Sequence, residues 1–181
     1  MTLQDLEARL ASVAAERTSH QDQRLGLVAC REALAAARQG NYGVGAVLVD
    51  PQGTVVAQGQ NAVFYPRFRS DFHAEMVVMN AFEERYPEVD TMRGYTLLCS
   101  LEPCPMCFAR LLTAGVPTVK FLARDALGGM VSHRHHLPTA WQRLGQRQEI
   151  GQADVSESLR QFALDVFLLN LEACRQKLWS R

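Results

Sequence analysis

The feature that most constrains the fold is the alternation of β-rich and helical segments after residue 44. Two short β-rich runs, 44–50 and 54–60, flank Pro51-Gln52-Gly53, whose proline and glycine are typical of a turn, so a hairpin is predicted. The segments that follow are a helix at 73–85, a strand at 95–100, a helix at 105–114, a strand at 116–122 and a weak fifth strand at 147–153. This order predicts an α/β fold in which helices cover both faces of one sheet.

Three further helices are predicted outside this pattern. Apolar residues repeat every three or four positions from Leu3 to Val13, which indicates an amphipathic helix at about residues 2–17, with Thr2 as its N-cap. A second helix is predicted over 21–38, and the last repeats its apolar residues from Leu159 to Ala173. No linker or low-complexity tract divides the 181 residues, so a single domain is expected.

The balance of charge limits the classes of partner. The chain has nineteen Lys and Arg residues and nineteen Asp and Glu residues. A neutral chain has no general attraction to nucleic acid, so only a local basic patch could bind one. The longest uncharged apolar run, residues 42–49, is far shorter than the roughly 20 residues of a membrane span. The N-terminal helix carries acidic residues instead of an apolar signal core. We therefore expect a cytoplasmic protein with no membrane segment.

The five cysteines argue against a disulfide framework, because their number is odd and no signal peptide is evident. Cys30 and Cys174 fall in predicted helices and are interpreted as small core residues. Cys104 and Cys107 require a different interpretation.

Two short motifs stand at the starts of predicted helices. His73-Ala74-Glu75 begins one helix, and Pro103-Cys104-Pro105-Met106-Cys107 begins another. Both helices follow sheet-forming sequence, so their N-termini could emerge at the same end of the sheet. Cysteines three residues apart in a first helical turn point the same way, and the free backbone N–H groups there stabilise thiolates. Two thiolates and one imidazole make three ligands for Zn²⁺ and leave a fourth position for water.

Glu75 lies two residues after the histidine and is close enough to exchange protons with that water. Zinc lowers the pKa of a bound water from about 15.7 to about 7, so the attacking species becomes available near neutral pH. The motifs therefore predict a catalytic zinc site in which His73, Cys104 and Cys107 are ligands and Glu75 is the general acid and base.

Each motif has a simpler interpretation when it stands alone. A Cys-x-x-Cys pair can be redox-active or half of a structural zinc site, and a His-x-Glu is usually an ordinary helix start. Their combination is far more specific and is typical of zinc-dependent deaminases. Three histidines, His133, His135 and His136, are interpreted as an exposed polar loop. Alternatively their segment caps the pocket, or one of them, or Cys99, fills the fourth zinc position and makes the site structural.

Five sequence phrases together resemble a known family. They are Val44-Gly-Ala-Val-Leu-Val49, Gly59-Gln-Asn61, His73-Ala-Glu-Met76, Leu101-Glu-Pro-Cys-Pro-Met-Cys107 and Leu122-Ala-Arg-Asp125. Between about residues 44 and 125 the chain resembles the cytidine/deoxycytidylate deaminase superfamily. It is most similar to the branch that holds guanine deaminase, cytosine deaminase and the tRNA adenosine deaminases.

This resemblance implies a three-layer α/β/α fold with a central mixed five-stranded sheet over a single domain, residues 1–181, and usually a homodimer. It implies one Zn²⁺ per chain on the His73, Cys104 and Cys107 positions, with proton transfer by Glu75. The side chain of Asn61 and the backbone of Ala74 would contact the substrate.

The implied reaction is zinc-dependent hydrolytic deamination of a nucleobase, a nucleoside or a related small aminated heterocycle. A tRNA adenosine deaminase is the first alternative, with Arg134, Arg143 and Arg147 as a potential basic patch. The second is a non-catalytic zinc module that binds a partner through the helix carrying Leu3 to Val13.

Two features depart from the family pattern. Phe72 stands before the histidine where many relatives have an Asp-Pro-Thr type of lead-in. Its ring is expected either to contact the substrate, by narrowing the pocket or stacking on a base, or to pack into the core. The N-terminal helix at about residues 2–17 is extra to the minimal domain and is interpreted as a docking or dimer-packing helix.

Overall fold

A computed structural model describes residues 1–181. In chain order the elements are α1 (Leu3–Ala15), α2 (Gln23–Arg38), β1 (Gly45–Val49), β2 (Val55–Gln60), α3 (Ala74–Arg85), β3 (Thr96–Leu101), α4 (Pro105–Thr113), β4 (Thr118–Ala123), a 3₁₀ helix (Val131–His136), α5 (Thr139–Gly145), β5 (Glu149–Gln152) and α6 (Glu157–Trp179).

The five strands form one mixed sheet in the order β2-β1-β3-β4-β5. β1 runs antiparallel to both β2 and β3, whereas β3, β4 and β5 are mutually parallel neighbours. The predicted hairpin across residues 51–53 is confirmed, with an irregularity in its register between Leu48 and Val49. Every residue of β1 is buried, so this strand lies in the centre of the core.

Helices cover both faces of the sheet, as predicted. α2 and α6 pack together on one face, and α3 packs on the other face with α4 beside it. Gly45 of β1 shows how closely α2 approaches, because a Cβ atom on Gly45 would lie 2.2 Å from the Ala29 carbonyl oxygen. Gly59 of β2 instead faces Val77 of α3. The architecture is therefore the three-layer α/β/α fold with a mixed five-stranded sheet.

The N-terminal helix α1 forms an outer layer on α2 and α6. Thr2 caps α1 as predicted. The helix ends at Ala15, before the predicted end at about residue 17. Leu6, Leu10 and Val13, its apolar stripe, are all buried within the chain. This stripe is consequently not available to a partner, and the partner-binding interpretation of the helix loses its surface.

Between β4 and β5 the sequence predicts an irregular segment with a short helix at Thr139–Leu144, and the structure has α5 at that place, preceded by the 3₁₀ helix. The residues of the 3₁₀ helix are mostly polar and exposed, so no apolar periodicity indicated it. Cys30 and Cys174 are buried, as interpreted from the sequence. None of the helices combines the length and the apolar character needed to cross a membrane.

Candidate active site

The two sequence motifs meet where α3 and α4 begin. His73 is the N-cap of α3 and Cys104 is the N-cap of α4, with Pro105 in the first helical position. Proline suits that position because its missing N–H would find no intrahelical acceptor. The candidate ligand atoms of His73, Cys104 and Cys107 all lie within 4.8 Å of one another. The Cys104 Sγ and His73 Nδ1 atoms are 3.5 Å apart.

This donor set fits Zn²⁺. A tetrahedral zinc with bonds of about 2.0–2.3 Å holds its ligand atoms roughly 3–4 Å apart, close to the spacing found here. No fourth His, Cys, Asp or Glu joins the group. Cys99 is buried, and its thiol donates to the Leu101 carbonyl oxygen at 2.9 Å. The protein therefore offers three ligands, which is the number that leaves a position open for catalysis.

The two thiols of the site differ in acidity. A hydrogen bond from the Cys107 thiol is the main cause that lowers the pKa of Cys104 to about 4, and His73 lowers it further. The same hydrogen bond, together with burial, raises the pKa of Cys107 well above its usual value. Burial lowers the pKa of His73, but the bond to Cys104 and the neighbouring negative charges outweigh it, so the net shift is upward. Metal binding would displace the protons that remain.

Glu75 places a carboxyl group beside these ligands. It lies in the first turn of α3 and is only 3% exposed. Burial raises its pKa, and the nearby Cys104 charge raises it further. A carboxyl with a raised pKa can hold a proton and pass it on near neutral pH, which general acid–base catalysis requires.

Glu75, His73 and Cys104 open into a cavity of about 200 Å³. Its other lining residues are Tyr42, Val44, Asn61, Leu101, Glu102, Asp125, Phe167, Leu171, Arg175 and Leu178. A cavity of about 150 Å³ is known to hold one benzene molecule, so this one suits a single heterocyclic base.

Asn61 lies in this cavity with a free donor. Its side chain is 3% exposed, and its Oδ1 atom accepts the Val63 N–H at 3.2 Å. Its Nδ2 has no hydrogen-bond acceptor within the chain and lines the cavity. Ala74 is the first residue of α3, so its N–H has no intrahelical acceptor either. The Asn61 amide is therefore free to bind a ligand, whereas Ala74 is fully buried and is not among the residues that line the cavity.

Phe72 does not line the cavity. The Arg69 guanidinium stacks over its ring at 3.9 Å and is held there by a bidentate ion pair with Asp71. The ring is half-buried and lies outside the main hydrophobic core. This position differs from both interpretations of Phe72, because the Arg69–Asp71 pair fixes the ring at the surface of the loop.

The three histidines of the 3₁₀ helix are exposed and do not line this cavity. His135 borders a separate cavity with Arg134 and Trp141. The interpretation as an exposed polar segment agrees with this placement, and the interpretations as a pocket cap or as a zinc ligand do not.

Sequence reasoning missed the wall of the cavity that α6 provides. The predicted stripe of α6 continues to Leu169 and Ala173, but Leu169 is only half-buried and Ala173 is exposed. A second stripe, Phe167, Leu171, Arg175 and Leu178, recurs at spacings of 4, 4 and 3 and faces the cavity. This spacing was a usable signal, since a 23-residue helix is long enough to serve two surfaces.

The zinc-binding region of cytidine and deoxycytidylate deaminases matches residues 19–123, more than half of the chain. The chain belongs to this deaminase family. The family is one of hydrolases that act on the C–N bonds of cyclic amidines, and it carries zinc at the site that the two motifs form here.

Several individual proteins are similar to this chain. A tRNA-specific adenosine deaminase of Bacillus subtilis is 38% identical over 111 residues, which cover 60% of this chain and just under two thirds (66%) of the relative. A tRNA-specific adenosine deaminase of Agrobacterium fabrum is 31% identical to this chain over an aligned region that covers 82% of this chain and 94% of the relative. A structure from a study of A-to-I editing by tRNA:A34 deaminases superposes with a TM-score of 0.60, at 27% identity, over 70% of this chain and 94% of the other.

Proposed function

We propose that this protein is a hydrolytic deaminase that acts on one aminated heterocyclic base at a time. The observation that carries the proposal is that a buried carboxyl, a free amide donor and two of the three zinc-type ligands, His73 and Cys104, open into one cavity of about 200 Å³. A cavity of that size is large enough for a single base.

His73, Cys104 and Cys107 would hold the zinc ion, which when bound supplies an activated water for attack on the amine-bearing carbon. Glu75 takes one proton from the water and delivers it to the ring nitrogen. It then takes the proton of the added hydroxyl and gives it to the amine, so that the carbonyl forms, the C–N bond breaks and ammonia leaves. Asn61 donates its free amide hydrogen to the base, and the Ala74 N–H contacts a ring carbonyl or its equivalent. These residues fix the base so that its reacting carbon faces the carboxyl of Glu75.

The test is ammonia release by the zinc-loaded protein across guanine, cytosine, adenine, their nucleosides, the monophosphates and a tRNA anticodon stem-loop. The Glu75→Ala variant serves as the control. We expect release from one class of compound, and a fall of about 10²–10⁴-fold in the variant with zinc content unchanged. Near-full activity of the variant would overturn the role of Glu75, and silence across the panel would overturn the function.

A tRNA adenosine deaminase is a second candidate, and a specific surface favours it. Beside the cavity, Phe64 and Phe68 form an aromatic rim over which Lys177 and Arg181 lie at 5.2 and 3.6 Å from the ring centroids. Aromatic rings interleaved with cations bind single-stranded nucleic acid through stacking and charge. The relatives from B. subtilis and A. fabrum are named tRNA-specific adenosine deaminases, which agrees with this surface.

Salt dependence separates the two candidates. Binding of a stem-loop RNA through several phosphates weakens steeply with salt, whereas binding of an uncharged base does not. Activity on the stem-loop that falls steeply with salt, together with inactivity on free adenine, would establish the tRNA candidate. The homodimer stays a prediction, and sedimentation of the zinc-loaded protein would test it.

A further inference from the structure

Arg175 is a cation in the active-site cavity with no partner in the protein. It comes from the cavity-facing stripe of α6 and is half-buried between Leu171 and Leu178. No carboxylate lies within ion-pair distance of its guanidinium, and no hydrogen bond ties it to another residue. An unpaired arginine in a partly desolvated wall is unusual, because burial of a charge is unfavourable without a counter-charge.

The acidic residues of the same cavity have other partners. The Glu102 carboxylate accepts the Val131 N–H at 3.0 Å. The Asp125 carboxylate accepts the N–H groups of Leu127 and Gly128 at 3.2 and 2.9 Å. These bonds fix both carboxylates to the loops that follow β3 and β4, whereas Arg175 projects from α6. Neither carboxylate forms an ion pair with Arg175.

Tyr42 and Phe64 connect the surroundings of Arg175 to the aromatic rim. Tyr42 lies beside it, and burial raises the tyrosine pKa while the Arg175 charge opposes that shift. The Tyr42 ring packs against Phe64, with centroids 5.9 Å apart, and Lys177 lies over the Phe64 ring. Tyr42 therefore lies between Arg175 and the aromatic rim on which Lys177 packs.

We infer that Arg175 binds a phosphate of the substrate, so that the preferred substrate is a nucleotide and not a free base. A guanidinium presents paired donors that match two phosphate oxygens, and such charge-assisted bonds are strong. The base would lie against Glu75 and Asn61 while its phosphate reaches the α6 wall. The inference deepens the proposed function and rests on it for the position of the base. The phosphate could belong to a free nucleoside monophosphate or to the phosphodiester chain of an RNA.

The test compares Arg175→Gln, which loses the charge, and Arg175→Lys, which keeps the charge but loses the paired donors. Arg31→Gln is the matched control, because Arg31 is exposed on α2 and does not line the cavity. Ammonia release is measured on each base as nucleoside, 5′-monophosphate and short stem-loop RNA. We expect Arg175→Gln to raise KM about tenfold or more for the phosphate-bearing substrate, with the nucleoside within about twofold of wild type. Arg175→Lys should lie between wild type and Arg175→Gln, and Arg31→Gln should match wild type.

Calorimetry on the zinc-loaded Glu75→Ala protein gives a second measurement that needs no turnover. Each nucleoside and its monophosphate are titrated with and without the Arg175→Gln change. Suppose that binding depends on the phosphate and requires Arg175, but the protein with Glu75 intact releases no ammonia from any compound. The inference would then be supported while the proposed function fails. Equal affinity for nucleosides, monophosphates and RNA, or equal loss across them on substitution, would overturn the inference even if deamination is observed. If the Arg175→Gln change affects only the stem-loop RNA, the phosphate that Arg175 binds belongs to the phosphodiester chain.

Discussion

At the residue scale, the two cysteines of the metal site have different tasks. Cys104 stands at the N-cap of α4, where free backbone N–H groups and the Cys107 thiol stabilise its thiolate. Cys107 lies one turn inside the helix and is buried. Cys104 therefore offers an ionised ligand before metal arrives, and Cys107 completes the site by releasing its proton.

Cys104→Ser should lose the metal, while Cys99→Ser should keep it. A serine hydroxyl remains protonated and is a poor zinc ligand, whereas Cys99 bonds to the Leu101 carbonyl instead of facing the ligand group. Metal analysis after gel filtration in limiting zinc should give about one zinc per chain for Cys99→Ser and almost none for Cys104→Ser. Loss of zinc from both variants would make Cys99 a fourth ligand and the site structural.

At the element scale, the close approach of α2 to β1 depends on the absence of a side chain at Gly45. Gly45→Ala would place its Cβ 2.2 Å from a backbone oxygen of α2, so the helix must move. We expect the free energy of unfolding to fall by about 1–3 kcal/mol. Gly151→Ala in β5 is the control, because nothing lies within 4 Å of its Cβ position. Equal denaturation midpoints for the two variants would contradict this account of the packing.

The outer helix α1 makes a second prediction about elements. Leu6 is fully buried where α1 packs, so Leu6→Ala should lower the free energy of unfolding by about 2–5 kcal/mol. Ammonia release per folded molecule should stay at the wild-type level, because α1 contributes no residue to the cavity. Gln4→Ala, at an exposed position on the same helix, is the matched control for urea denaturation. If the Leu6→Ala protein is as stable as the Gln4→Ala protein, the apolar stripe of α1 does not stabilise the fold, and the interpretation of α1 as a partner-binding helix would be supported again.

Features set by residues close together in the sequence could be predicted, whereas contacts between distant elements could not. The hairpin turn, the Thr2 cap and the spacing of Cys104 and Cys107 depend on residues close together in the chain, and each could be predicted. Burial of the α1 stripe within the chain, the placement of Phe72 under Arg69 and the α6 wall depend on contacts between distant segments. A periodic stripe shows that a helix face is apolar, but it does not show what covers that face.

At the scale of the whole molecule, the sheet separates two layers with different tasks. The layer of α3 and α4 begins at the metal site, and the layer of α2 and α6 supplies the opposite wall of the cavity. Asn170 links the second layer to the substrate side, since its Nδ2 donates to the carbonyl oxygens of Ala37 and Asn41. Asn41 in turn accepts the N–H groups of Phe64 and Tyr65 at the rim. These hydrogen bonds join the α6 wall to the rim.

Removal of zinc should consequently loosen one layer and spare the other. Without metal, the starts of α3 and α4 lose the ion that joins His73 to the two cysteines, so amide hydrogen exchange should rise in their first turns. Exchange in α1 and α2 should stay unchanged, because the buried sheet and the apolar contacts of α6 hold those helices without the ion. Hydrogen-exchange mass spectrometry before and after chelation measures both layers together, with Cys104→Ser as the control that should not respond to the chelator. A uniform rise across both layers would mean that zinc stabilises the whole domain, and the wall bearing Arg175 would then depend on the metal as well.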